Sequence, residues 1–111
     1  MSGNKRLLLL EKMIEGGTTD PFHWYALGME YAGSGRIDDA LSTFTKLRQI
    51  DPGYVPMYLM CGTMLLKAGR ADDGREWLTA GLQAAQRKGG THALSELQEA
   101  LAGAKAAGGG A

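Results

Sequence analysis

Residues 21–54 superpose on residues 55–88, a shift of 34 that carries Trp24 onto Tyr58, and this internal recurrence constrains the fold more than any other feature of the chain. Gly28 falls on Gly62, Gly35-Arg36 on Gly69-Arg70, Asp38-Asp39 on Asp72-Asp73, Thr45 on Thr79 and Gln49 on Gln83. Where identity is lost, apolar character is kept: Tyr31 meets Leu65 and Phe44 meets Leu78. A unit repeated at such a period buries its apolar face by stacking on its neighbours. Within the unit the pattern is helical. Trp24, Leu27, Gly28 and Tyr31 recur at i, i+3, i+4 and i+7. After the turn signal Gly33-Ser34-Gly35, the residues Ile37, Ala40, Leu41, Phe44 and Leu47 form the apolar stripe of a return helix.

In the first unit Trp24, Leu27, Gly28, Tyr31, Ala40, Phe44 and Pro52 stand at the spacings of the tetratricopeptide repeat (TPR) signature, and the chain resembles that family. The second unit holds Tyr58, Cys61-Gly62, Leu65, Gly74, Leu78 and Gln86 at the corresponding places, so size class outlasts lettering. The resemblance covers residues 21–88, as TPR 1 over 21–54 and TPR 2 over 55–88. It implies an all-α fold, a right-handed α–α superhelix of about six antiparallel helices. It also implies a module that binds other proteins through a concave groove and carries no chemistry of its own.

The flanks are read from periodicity. Residues 4–15 form a helix opened by Asn4, a good N-cap, and stopped by Gly16-Gly17. Leu10 lies one period before Phe44, which makes this helix the second half of a truncated unit. Asp20-Pro21 opens the next helix, an acceptor followed by a proline whose missing N–H is harmless there. Residues 91–105 read as a capping helix, because Leu94, Leu97 and Leu101 repeat the spacing of Trp24, Leu27 and Tyr31 while His92, Ser95, Glu96, Glu99 and Lys105 keep its outside polar. Residues 1–106 are thus one domain. Residues 107–111, Gly and Ala alone, have no side chains to pack and are expected to form a disordered tail.

Charge and composition narrow the function classes. Twelve basic and twelve acidic residues leave a formal charge of +0, so no global field draws the chain to nucleic acid or to anionic lipid. The run Leu7-Leu8-Leu9-Leu10 is ended by Glu11-Lys12, too early for a secretory h-region, and no stretch reaches the roughly 20 apolar residues of a membrane span. A single cysteine excludes an internal disulfide and points to a reducing, cytoplasmic setting. His23 and His92 sit in different helices without ligand-spaced partners, so neither metal nor cofactor is expected. Asp38-Asp39 and Asp72-Asp73 look like catalytic pairs, yet adjacent helical residues diverge by about 100°, and both pairs lie where carboxylates favour a helix N-terminus. No phosphate loop or nucleophile–base pair is present, and an enzyme is not expected.

Two surfaces remain as candidates for binding a protein or peptide partner. The first is the groove that the resemblance implies, lined by positions one residue round from the packing stripe. These are Phe22, Tyr25, Met29 and Gly33 in the first unit and Pro56, Leu59, Thr63 and Lys67 in the second. Most are apolar, which suits an amphipathic helix or an extended peptide with apolar anchors. Tyr25 and Met29 stand where a carboxylate-gripping subclass of the family needs Lys and Asn, which argues against a clamp for acidic C-termini. The second surface is the first helix, where Leu8 and Leu9 exceed the needs of an inward stripe of Leu7, Leu10, Met13 and Ile14; these are candidates for a homodimer contact. Cys61 takes the place of Leu27 and reads as a small buried apolar residue. Trp77 reads either as packing on the last helix to compensate for small Gly74 and Gly81, or as a partner hot spot.

Overall fold

A computed structural model describes residues 2–109, with side chains described over 5–104. Six helices follow one another, with no strand among the described residues: α1 (Ser2–Glu15), α2 (Pro21–Gly33), α3 (Ile37–Ile50), α4 (Val55–Lys67), α5 (Ala71–Lys88) and α6 (Thr91–Gly109). They belong to two compact units that divide between Asp51 and Pro52. In the first, α2 packs on both α1 and α3; in the second, α4, α5 and α6 pack on one another.

Local chemistry explains the helix ends. The Asp20 carboxylate accepts from the Phe22 N–H at 2.9 Å and Pro21 fills the first turn, so α2 starts where the sequence places it. Its end is a Schellman turn, with the Arg36 N–H bonded to the Tyr31 carbonyl at 2.9 Å and the Gly35 N–H to that of Ala32 at 3.2 Å. Gly35 sits at φ +76°, a region that side chains resist. One repeat later Gly69 at φ +81° and the Arg70 N–H on Leu65 make the same stop. The arginine then reaches forward: Arg36 Nε donates to Asp39 at 2.8 Å and Arg70 Nη2 to Asp73 at 3.3 Å. The aspartate pairs therefore serve the helix starts, Asp39 and Asp73 as partners of the turn.

Two boundaries differ from expectation. α1 begins at Ser2, ahead of Asn4, so Asn4 lies inside the first turn rather than at the cap. α6 continues through Ala106-Ala107 to Gly109, past the expected end near residue 105, because alanine is the strongest helix former and extends a helix already nucleated. Of the expected tail, residues 110–111 lie outside the described residues.

The core is built on close helix crossings. A Cβ placed on Gly28 would lie 2.5 Å from Phe44 Cε1, and one on Gly62 would lie 2.6 Å from Leu78 Cγ. Each glycine thus lets a fully buried Phe44 or Leu78 seat against the backbone of the preceding helix. In the second unit Leu78, Ala85, Leu97 and Ala104 are buried together, and Leu59, Leu66 and Leu101 pack around them. Cys61 is fully buried, as a small apolar residue should be. Trp77 is buried too, with its ring tilted 48° against Tyr58 at 5.9 Å. Its ring neighbour is therefore on α4, which precedes it, and the hot-spot reading falls with its exposure.

Candidate functional site

The α2 surface is the first candidate. Ala26, Leu27, Gly28 and Tyr31 are buried, while Phe22 is 59% exposed and Met29 40%. Phe22 and Met29 stand seven residues apart on one flank of the helix, and Gly33 continues that flank, open on its far side. Tyr25 is half-buried because its ring leans on Phe44 at 6.3 Å, tilted 51°. It contributes an edge rather than a free ring. Large apolar side chains left in water beside a buried helix face mark a surface available to a partner.

The four positions expected on α4 are less alike. Pro56 and Lys67 are exposed. Leu59 packs against the core of its own unit, and Thr63 is half-buried with its hydroxyl donating to the Leu59 carbonyl at 2.8 Å. Spacing along α4 could not show that Leu59 packs on a cluster completed by Leu97 and Ala104 of α6.

On α1, Leu8 is 58% exposed and Leu9 61%, whereas Leu10 is nearly buried. Two polar contacts join α1 to α2. Arg6 Nε pairs with Glu30 at 2.8 Å, and the Tyr31 hydroxyl donates to Glu11 Oε2 at 2.6 Å. Burial first, and then that hydrogen bond to a carboxylate, push the Tyr31 phenol up to about 12. Across the same ring, the Arg36 guanidinium lies 4.6 Å from the centroid. Nothing in the repeat pattern announces these contacts, because each depends on a second helix. Between α1 and α2, His23 Nδ1 lies 2.8 Å from the Thr18 hydroxyl and the Trp24 indole donates to the Thr18 carbonyl at 3.0 Å, so His23 belongs to the turn.

Among the described residues no group of three His, Cys, Asp or Glu side chains could hold a metal ion, and no helix is long and apolar enough to cross a membrane.

Comparison with known proteins agrees with this architecture. The tetratricopeptide repeat profile matches residues 31–101. A tetratricopeptide repeat domain protein from Salinibacter ruber, solved in solution, is 34% identical, with a TM-score of 0.72 over 78% of this chain and 88% of that one. A protein from Bordetella parapertussis is 30% identical, with a TM-score of 0.76 over 88% and 85% of the two chains. The type III secretion translocator chaperone of Yersinia enterocolitica shares the fold at a TM-score of 0.84 over 94% of this chain and 72% of that one, with 13% identity. Among curated protein sequences none matches the chain.

Proposed function

The chain belongs to the tetratricopeptide repeat family, and from that premise we propose that it is a non-catalytic interaction module, a scaffold or adaptor that binds a protein segment on the exposed, groove-lining flank of α2. One observation carries the reading: Phe22 at 59% and Met29 at 40% exposure form an apolar stripe beside a fully packed helix face. An apolar peptide or amphipathic helix with anchors of matching spacing would bury both side chains, and methionine adapts to more than one partner shape. Tyr25 flanks the stripe, and Pro56 and Lys67 of α4 are the members of the second unit's set that remain open. The buried single cysteine fits a reducing, cytoplasmic setting.

Affinity capture with wild type and with Phe22→Glu/Met29→Glu in parallel tests the proposal. The partner segment recovered with wild type is then made as a peptide and titrated by fluorescence anisotropy. Loss of binding in the double variant, with an unchanged melting temperature, supports the α2 surface; equal binding to both proteins refutes it.

The exposure of Leu8 and Leu9 favours a second reading, self-association through α1. Sedimentation equilibrium decides it. A dimer dispersed by Leu8→Glu is the expected result, and a monomer at tens of micromolar removes the reading.

A further inference from the structure

Glycine inside a helix is less stable there than almost any other residue, so its presence calls for a compensating role. Four helical glycines have one in packing. Phe44 lies against Gly28, Leu78 against Gly62, Leu66 against Gly74 and Tyr58 against Gly81, each so near that a Cβ would collide with it. Gly33, the last residue of α2, is different. Nothing lies within 4 Å of where its Cβ would stand, and it does not share the positive φ that Gly35 adopts two residues later. The second unit shows that the helix end needs no glycine. The counterpart of Gly33 is Lys67, exposed at the end of α4, and that helix stops in the same way, with Gly69 at φ +81° and the Arg70 N–H on the Leu65 carbonyl. Among the described residues, the missing side chain at position 33 serves no contact.

Gly33 lies in line with the exposed pair. At 3.6 residues per turn, Phe22, Met29 and Gly33 fall within about 40° of one another, Met29 about 10 Å along the axis from Phe22 and Gly33 about 6 Å further. Phe22 is 59% exposed and Met29 40%. Charge is directed away from this line, because Glu30 is paired with Arg6 of α1 and His23 is held by the Thr18 hydroxyl. Gly103 of α6 is open as well, but its line on the helix holds His92, Glu96 and Glu99.

We propose that Gly33 is the seat for one large apolar side chain, a Phe or a Leu, of an uncharged apolar segment of a partner protein, which rests on α2 being the binding surface and specifies its occupant. The four filled seats supply the rule: in this fold bare helix backbone at a glycine receives a large apolar side chain from a neighbouring segment. The neutral line supplies the chemistry. A charged partner residue brought onto it would lose hydration and find no counter-charge, whereas an apolar one buries Met29 and Phe22 along with itself. Lys67 fills the equivalent position of α4, so the two repeats do not offer the same seat.

Peptides selected from a phage-displayed random library on the immobilised full chain provide the probe; each is resynthesised with a fluorescein label and titrated by anisotropy. Binding to wild type should be lost on Phe22→Glu/Met29→Glu and should change little with salt. Gly33→Met, which fills the seat without adding charge, should weaken binding by about tenfold or more while the melting temperature stays at or above that of wild type. Gly33→Lys, the second unit's own residue, should act likewise, and Gly33→Ala less. In a double-mutant cycle, changing the peptide's large apolar residue to Ala should cost about tenfold on wild type and almost nothing on Gly33→Met. Peptides lost on Phe22→Glu/Met29→Glu yet bound equally by wild type and Gly33→Met, or showing no coupling in the cycle, or released by salt, would overturn the seat and leave the α2 surface standing. Peptides indifferent to every one of these substitutions, or a selection that yields none, would overturn both.

Discussion

Phe44 Cε1 occupies the space where a Cβ of Gly28 would be, 2.5 Å from its ideal position, so the closest crossing of α2 and α3 depends on the absence of one carbon. Phe44 is fully buried and has no room to withdraw. Gly28→Ala should therefore destabilise the protein by about 1–2 kcal/mol, because overpacking outweighs the gain in helix propensity. Gly33→Ala, in the same helix with nothing within 4 Å of its Cβ, should be neutral or stabilise by up to about 0.5–1 kcal/mol. Urea melts of the two variants should shift in opposite directions or leave Gly33→Ala unmoved; a Gly28→Ala protein as stable as wild type would show that the crossing can relax.

Trp77 should report a buried environment. With Trp24→Phe removing the other indole, its emission is expected to be blue-shifted and weakly quenched by iodide, as its 6% exposure requires. Trp77→Ala should cost about 3–5 kcal/mol by opening a cavity beside Tyr58. Free quenching would contradict the α4–α5 packing.

The Tyr31 phenol, raised to about 12 from its ordinary 10.0, links stability to alkaline pH. The neutral form is the one favoured by folding. Its contribution is complete below pH 10, the unfolded value, and is lost as pH climbs from there through about 12. A spectrophotometric titration that reads phenolate should show a component ionising above pH 10 that Tyr31→Phe removes. Glu11→Gln should bring that titration down part of the way, since burial, the larger cause, remains. Superimposable titrations of the two proteins would mean that the 2.6 Å hydrogen bond has no hold on the phenol.

Asp20→Ala removes the acceptor that holds the Phe22 N–H and should cost about 0.5–2 kcal/mol. Asp20→Asn should recover most of the loss, because the amide oxygen can accept the same bond. Thermal melts of the pair separate capping from charge.

Legibility in the sequence followed the range of the interactions concerned. The start and stop of α2 and the turn into α3 are set by Asp20, Pro21, Gly35 and Arg36 acting within a few residues, and the sequence places them correctly. The same holds for the burial of Cys61 and for the close crossing at Gly28, where the repeat spacing itself encodes a packing face. Trp77 is buried, as its packing reading expects, but the partners of Leu59 and Trp77 are not legible in the sequence. Their surroundings depend on α6 and on Tyr58, partners that periodicity along one helix does not name.

By itself, the sequence determined the number and kind of helices, the turns between them and the stripe that each helix buries, because caps, left-handed glycines and helical periodicity act over one or two turns of chain. Only the tertiary structure decided which equivalent residues differ in fate. Leu9 and Trp77 share a repeat position, yet one is 61% exposed and the other 6%. Burial belongs to the neighbouring helix as much as to the residue, and α5 has α4 in front of it.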